Sequence, residues 1–172
     1  VGGGIRMNSG CFENEFKDII ISVQAIDEDG RILSIPKENI KFSYRNSNLN
    51  SNLIFLSATF KGKKSTKKKI IEKINTFKEM KNESQPSKIK TGGSTFKNPI
   101  DQTKKKVWEL IEESVNKNII FGGAKISSKH SNFFVNYKNA SFEDMNNLIN
   151  FVREKVKKKT GINLDLEIQI LK

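Results

Sequence analysis

Four short clusters carry groups that could do chemistry. In Thr91-Gly92-Gly93-Ser94-Thr95-Phe96-Lys97-Asn98-Pro99, two glycines precede a hydroxyl, and a cation and an amide follow it. Glycines let the backbone turn sharply and press that hydroxyl against a ligand, while Lys97 and Asn98 suit a phosphate. An ordinary Gly/Ser loop accounts for the same residues equally well. Phe42-Ser43-Tyr44-Arg45-Asn46-Ser47 holds one of the four arginines, the others being Arg6, Arg31 and Arg153. A planar guanidinium grips a carboxylate or enolate oxygen bidentately, although a surface Arg in a polar loop is the plainer reading. Gly2-Gly3-Gly4-Ile5-Arg6-Met7-Asn8-Ser9-Gly10 could present backbone N–H groups to a phosphate, or could be a flexible turn. Its spacing is neither a P-loop nor a G-x-G-x-x-G after a strand. Glu167 lies between Leu166 and Ile168, opposite an apolar row, and so faces either water or a cleft. The sole histidine, His130, is far along the chain from Ser94, so a Ser-His-Asp hydrolase is a poor fit. His130 reads as a satisfied polar residue and Cys11 as a small, semi-buried side chain.

Strands and helices must position these clusters. Residues 18–26 alternate with Ile19, Ile21, Val23 and Ala25 on one face, Asp27-Glu28-Asp29-Gly30 is a turn, and 31–35 a return strand. Residues 54–60 form another strand, with Ile54, Leu56, Ala58 and Phe60 on one side. Ile70, Ile74 and Phe77 predict a helix over about 66–81, and 84–90, with Pro86, a boundary loop. A helix over 105–115 directs Trp108, Ile111 and Val115 inward. Short strands follow at 119–121, 124–126 and 133–136. Ser141 and Asp144 form a capping box ahead of an amphipathic helix carrying Phe142, Met145, Leu148, Ile149, Val152 and Val156, which Gly161 ends. Leu164, Leu166, Ile168 and Ile170 alternate as a last strand. The class is α+β, in two parts divided near residues 61–90.

The 172 residues carry a formal charge of +12, which invites a nucleic-acid partner. The excess is almost all Lys, accompanied by much Asn, Ile and Phe and little Pro, as A/T-rich coding would produce. Sequence readers need Arg for bidentate contacts and aromatics for stacking. A non-catalytic basic module binding nucleic acid or another polyanion through the Lys61–Lys69 run remains the alternative. One cysteine excludes an internal disulfide, no Cys/His cluster has metal-ligand spacing, and no apolar run approaches a membrane span. Val1-Gly2-Gly3-Gly4 is not a signal peptide, and the missing initiator Met points to a fragment or processed product.

Taken in order, Val1-Gly2-Gly3, Met7-Asn8-Ser9-Gly10, Phe42-Ser43-Tyr44-Arg45, Gln85-Pro86, Gly93-Ser94-Thr95-Phe96-Lys97-Asn98-Pro99, Gly122-Gly123-Ala124-Lys125-Ile126-Ser127-Ser128-Lys129-His130 and Leu164-Asp165-Leu166-Glu167-Ile168 resemble the UDP-N-acetylenolpyruvoylglucosamine reductases, or UDP-N-acetylmuramate dehydrogenases. The resemblance covers essentially the whole chain. It implies a cytoplasmic bacterial enzyme, expected as a monomer, that uses FAD and NADPH to reduce UDP-N-acetylglucosamine enolpyruvate to UDP-N-acetylmuramate for peptidoglycan, with no nucleic-acid or membrane partner. It assigns Ser94 as proton donor, Arg45 and Glu167 to the enol intermediate, and Asn98, Lys97 and Lys125 to the substrate. Gly2, Gly3, Asn8 and Gly10 fall to the cofactor. Residues 1–62 then correspond to the later part of a second flavin-binding domain, 63–83 to a linking helix and 84–172 to a substrate-binding domain. The family's first domain would precede Val1, which predicts weak FAD binding by this chain alone. Cys11, Phe12, Lys125, Leu166 and the stretch 114–118 depart from the family's usual residues.

Overall fold

In the computed structural model, which describes residues 1–171, the polypeptide divides into two units, Val1–Thr66 and the residues from Lys67 onward. In the first, α1 (Gly2–Arg6) leads into a tiny hairpin of β1 (Gly10–Cys11) and β2 (Asn14–Glu15), followed by a helical turn, α2 (Phe16–Ile19). Cys11 is exposed on this hairpin, not semi-buried as expected.

The expected hairpin forms as β3 (Ile20–Ile26) and β4 (Ile32–Pro36). Asp27 Oδ1 accepts from the N–H groups of Asp29 and Arg31, and Gly30 takes φ +79°, where a side chain would be strained. The strand β5 (Ile54–Phe60) pairs with the other side of β3, giving the antiparallel order β4-β3-β5. Two register shifts break the alternation expected from sequence. Between Ile20 and Ser22 a bulge buries Ile20 and turns Ile21 outward; Ile19 is likewise exposed, on α2. A second shift, between Gln24 and Ala25, places Phe55 and Ala58 against the core and exposes Ile54 and Leu56. Ile5, Ile20, Val23 and Ile40 form that core.

The second unit opens with α3 (Lys67–Ser84), none of whose residues is buried. The sheet that follows has the order β6-β9-β8-β7, from β6 (Lys90–Ser94), β7 (Ile120–Phe121), β8 (Ala124–Ile126) and β9 (Phe133–Asn136), all antiparallel. Two helices, α4 (Val107–Ser114) and α5 (Phe142–Thr160), pack against each other, and α5 also meets β7 and β8. Leu110 and Ile111 of α4, and Leu148, Ile149, Val152 and Val156 of α5, share one core with Phe96, Ala124, Ile126 and Phe134.

The expected ends of α5 are present: Ser141 Oγ accepts from Asp144 N–H at 3.0 Å, and Gly161 adopts φ +75°. Three expectations fail here. Trp108 and Phe142 are exposed, because Val107 takes the inward place on α4 and Phe142 stands in the first turn of α5, outside its buried stripe. The last alternating run is not a strand: it makes a single bridge, Leu166 to Phe96. Thr91–Ser94, which the sequence leaves open between a ligand-holding turn and an ordinary Gly/Ser loop, forms the end of β6. Helices together with wholly antiparallel sheets make this an α+β protein.

Candidate functional site

Ser94 is aimed by an irregularity in β6. The strand pairs regularly with β9 at Lys90 and Thr91, then slips before re-pairing at Ser94 with Phe133. Gly92 and Gly93 occupy the slip, and Gly93 sits at φ +88°. The Thr91 hydroxyl closes it, donating to the Phe134 carbonyl at 2.7 Å and accepting the Gly93 N–H at 3.3 Å. A bulge of this kind re-aims the next side chain, here the half-buried hydroxyl of Ser94.

Beyond Ser94, residues 95–97 are gripped from two sides. The Thr95 N–H donates to the Asn132 carbonyl at 2.8 Å. On the other side, Lys97 N–H donates to Asp165 O at 2.8 Å and Glu167 N–H to Thr95 O at 2.9 Å. Ser94 and Glu167, remote in sequence, therefore lie on adjoining backbone, and Glu167 is half-buried. Asn98 follows directly, and its Oδ1 accepts the Val107 N–H at 3.0 Å, which fixes the start of α4.

Lys125 is set by the turn between β7 and β8. Gly122 has φ +50°, and a Cβ on Gly123 would come within 2.1 Å of the Lys138 carbonyl, so only glycine fits there. Asp144 accepts the Gly123 N–H at 3.2 Å and the Ser141 N–H at 2.9 Å. Those backbone bonds hold its carboxyl below the ordinary value of 3.8. The Lys125 ammonium stands over the Tyr137 ring, 4.8 Å from its centroid. Lys125 also lines a cleft of about 460 Å³ together with Ser87, Lys88, Ser128 and Lys129. Lys97 and Asn98 do not line this cleft.

His130 and its neighbours are nearer to the Ser94 strand than the sequence suggests. The turn carrying His130, Ser131 and Asn132 feeds straight into β9, Ser94's partner strand. The His130 ring packs edge-on against Phe133, with ring centroids 4.8 Å apart, and its Nδ1 accepts the Asn132 N–H at 3.2 Å. Burial pushes the imidazole below its ordinary value of 6.5, against a smaller upward pull from the Glu112 carboxylate. Glu112 is itself held low by hydrogen bonds from Lys117 and from the buried Ser131, whose hydroxyl donates at 2.7 Å. Sequence reasoning missed Asn132 and Ser131. They follow the recognised Lys129-His130 pair without any spacing signal of their own.

The other predicted residues belong to the first unit. Asn8 is fully buried with φ +40°. Its Nδ2 donates to Glu15 Oε2 and to the Ser43 carbonyl, both at 3.1 Å, and its Oδ1 accepts the Lys17 N–H at 3.0 Å. The side chain thus ties the glycine segment to the turn that carries Arg45. That turn closes through reciprocal Ser43–Asn46 backbone bonds of 2.9 and 3.2 Å and puts Arg45 at φ +54°. The Arg45 guanidinium lies over the Tyr44 ring, 4.9 Å from its centroid. Gly3 has open space where a Cβ would be, and Gly2 would meet only the Phe55 ring, at 3.6 Å. Gly10 is different: a Cβ there would press on Glu15 Cγ at 2.7 Å and the Asn14 carbonyl at 2.9 Å, so its role lies in the hairpin. Ser47, two residues past Arg45, has a buried hydroxyl with no hydrogen-bond partner among the described residues. No group of His, Cys, Asp and Glu among the described residues is placed to hold a metal, and no helix there is long and apolar enough to cross a membrane.

Known proteins bear directly on this arrangement. A UDP-N-acetylenolpyruvoylglucosamine reductase of Pelagibacter ubique is 58% identical over all 172 residues, which make up 57% of that protein's length. One from Rickettsia conorii is 41% identical over 169 residues, 98% of this chain and 56% of its own. The crystal structure of a UDP-N-acetylenolpyruvylglucosamine reductase from Thermus caldophilus superposes with a TM-score of 0.82 at 31% identity, covering 98% of this chain and 59% of that one. The chain thus spans somewhat over half the length of the curated relatives it matches. Residues 85–171, which include Ser94, Asn132 and Glu167, match the C-terminal domain family of UDP-N-acetylenolpyruvoylglucosamine reductases, and to that family the chain belongs.

Proposed function

We propose that this chain supplies the substrate-protonating part of a reductase that converts UDP-N-acetylglucosamine enolpyruvate to UDP-N-acetylmuramate. The observation that carries the reading is the grip on residues 95–97, which joins the backbone of Ser94 to that of Glu167. Adding hydride to C3 of the enolpyruvyl group builds negative charge towards the carboxylate, as an enolate. That chemistry asks for a cation at the oxygen and a proton donor at C2. Arg45 supplies the cation and Ser94 the proton, with Glu167 stabilising the enol. A serine hydroxyl is a weak acid, so neighbouring charge must keep its alkoxide from standing free.

FAD reduced by NADPH would supply the hydride. The residues present fit such a group: the open space beside Gly3 admits a flat ring or a phosphate, and the orphaned Ser47 hydroxyl can bond to one. Asn8 spends its side chain inside the protein, so its contribution is to hold the cofactor-side segment and the Arg45 turn together. The basic cleft at Lys88, Lys125 and Lys129 suits the nucleotide diphosphate, with Lys97 and Asn98 on the approach to α4 as further substrate contacts.

The test joins this chain to the portion of the Pelagibacter ubique relative that it does not span, and compares S94A with the parent. NADPH should reduce the flavin of S94A at the parental rate. Reoxidation by the enolpyruvyl substrate should slow by roughly 10²- to 10⁴-fold, the usual worth of a positioned acid. Parental turnover in S94A refutes the assignment.

A further inference from the structure

We infer that Asn132 is a positioning residue for Ser94 and Glu167, acting through the peptide groups of Phe96. The inference rests on the reading of Ser94 and Glu167 given above. Asn132 is 3% exposed, and both ends of its carboxamide are used on one residue. Its Nδ2 donates to the Phe96 carbonyl at 2.8 Å, and its Oδ1 accepts the Phe96 N–H at 3.0 Å. A side-chain amide paired in this way does for Phe96 what a neighbouring strand would do. The Asn132 carbonyl adds the bond from Thr95 N–H, at 2.8 Å. A turn residue thereby extends the pairing of β9 past its own first residue, to the far side of Ser94.

Upstream the tie is weaker: the Thr91 hydroxyl bridges the slip through the Gly93 N–H, at 3.3 Å. Ser94 follows Gly92 and Gly93, the two residues least able to stiffen a chain, and the ladder slips there. Its position is therefore set mainly from the downstream side, where Asn132 holds Thr95 and Phe96. The same residues carry Glu167, through its N–H to the Thr95 carbonyl at 2.9 Å and the bridge between Phe96 and Leu166. Slack at Phe96 moves both groups together, and a shift of about 1 Å at a reacting atom can cost 10²-fold in rate.

The experiment uses N132A and N132D. In the 172-residue chain, amide exchange at Phe96 and Glu167 should quicken at least about tenfold in N132A, while amides of α5 keep their protection. In the joined protein, N132A should lower kcat roughly 10- to 100-fold, with KM for the UDP-sugar within about twofold and flavin reduction by NADPH unchanged. An aspartic acid copies the amide only while protonated, so N132D should regain kcat as the pH is lowered, which N132A should not. Unchanged exchange at Phe96 and Glu167 overturns the proposal. So does an N132A chain that no longer folds, since Asn132 would then support the unit as a whole. S94A is measured alongside: if it turns over normally the proton-donor reading fails, while the exchange data still judge Asn132.

Discussion

At the residue scale, the groups that look reactive are supported by buried polar side chains that do not. Asn8 satisfies three partners from a fully buried position, and N8A leaves the Lys17 N–H and Ser43 carbonyl without it. Losing these part-buried bonds should cost about 1 kcal/mol, measured by urea unfolding, and an unchanged midpoint contradicts that accounting. His130 gives a pH signature. Its folded pKa lies below the ordinary 6.5, so the unfolded chain binds the proton more readily. Stability from this group is intact above about pH 6.5 and is lost as the pH falls towards the lowered value. H130Q should flatten that decline below about pH 6.5; a decline of the same slope in H130Q assigns it to another group. Ser94, Arg45, Glu167 and Lys125 could be named from sequence because they stand in ordered motifs. Asn132 could not, since an amide acting as a surrogate strand depends on a partner, Phe96, that only the fold brings near.

At the element scale, periodicity located the longer helices and the strands of the two larger hairpins, but not the short elements before Ile20 or β6, and local irregularities decided which way side chains point. The expected faces of β3 and β5 changed where the ladder slips, at Ile20/Ser22 and Gln24/Ala25. A bulge costs the chain one residue of register and leaves no mark in hydrophobicity. The run from Leu164 to Ile170 alternates like a strand yet, among the described residues, makes a single bridge, against residues 95–97, and alternation cannot reveal how much partner is available. End signals were the most reliable, because a cap is a local interaction: Ser141, Asp144 and Gly161 all act as expected. S141A should cost about 1 kcal/mol, as N-cap truncations commonly do. L148A, which empties a fully buried place under α5, should cost about 3 kcal/mol by chemical denaturation. A cost in L148A no greater than in S141A would mean that the core around α5 rearranges to fill the gap.

At the scale of the whole molecule, the +12 charge and the share of its relatives' length that the chain covers set its behaviour. The Lys61–Lys69 run makes no part of any of the three sheets, and the positions within it are exposed. Replacing Lys63, Lys64, Lys67 and Lys68 with Gln should abolish retention on heparin at low salt. Gel filtration should strip FAD from the chain, since it spans only 57% of the Pelagibacter ubique relative; stoichiometric retention would show the flavin site complete within it. The sheet of the first unit has a further consequence. Its order β4-β3-β5 leaves the outer sides of β4 and β5 unpaired among the described residues, beside the exposed Ile32, Ile54 and Leu56. Open strand edges flanked by aliphatic side chains template pairing with another copy. Stored alone at high concentration, the chain should self-associate edge to edge, and lysine at Leu56 should suppress it. The lysines that follow β5 begin at Lys61, directly after its last residue, where they can act as gatekeepers against aggregation.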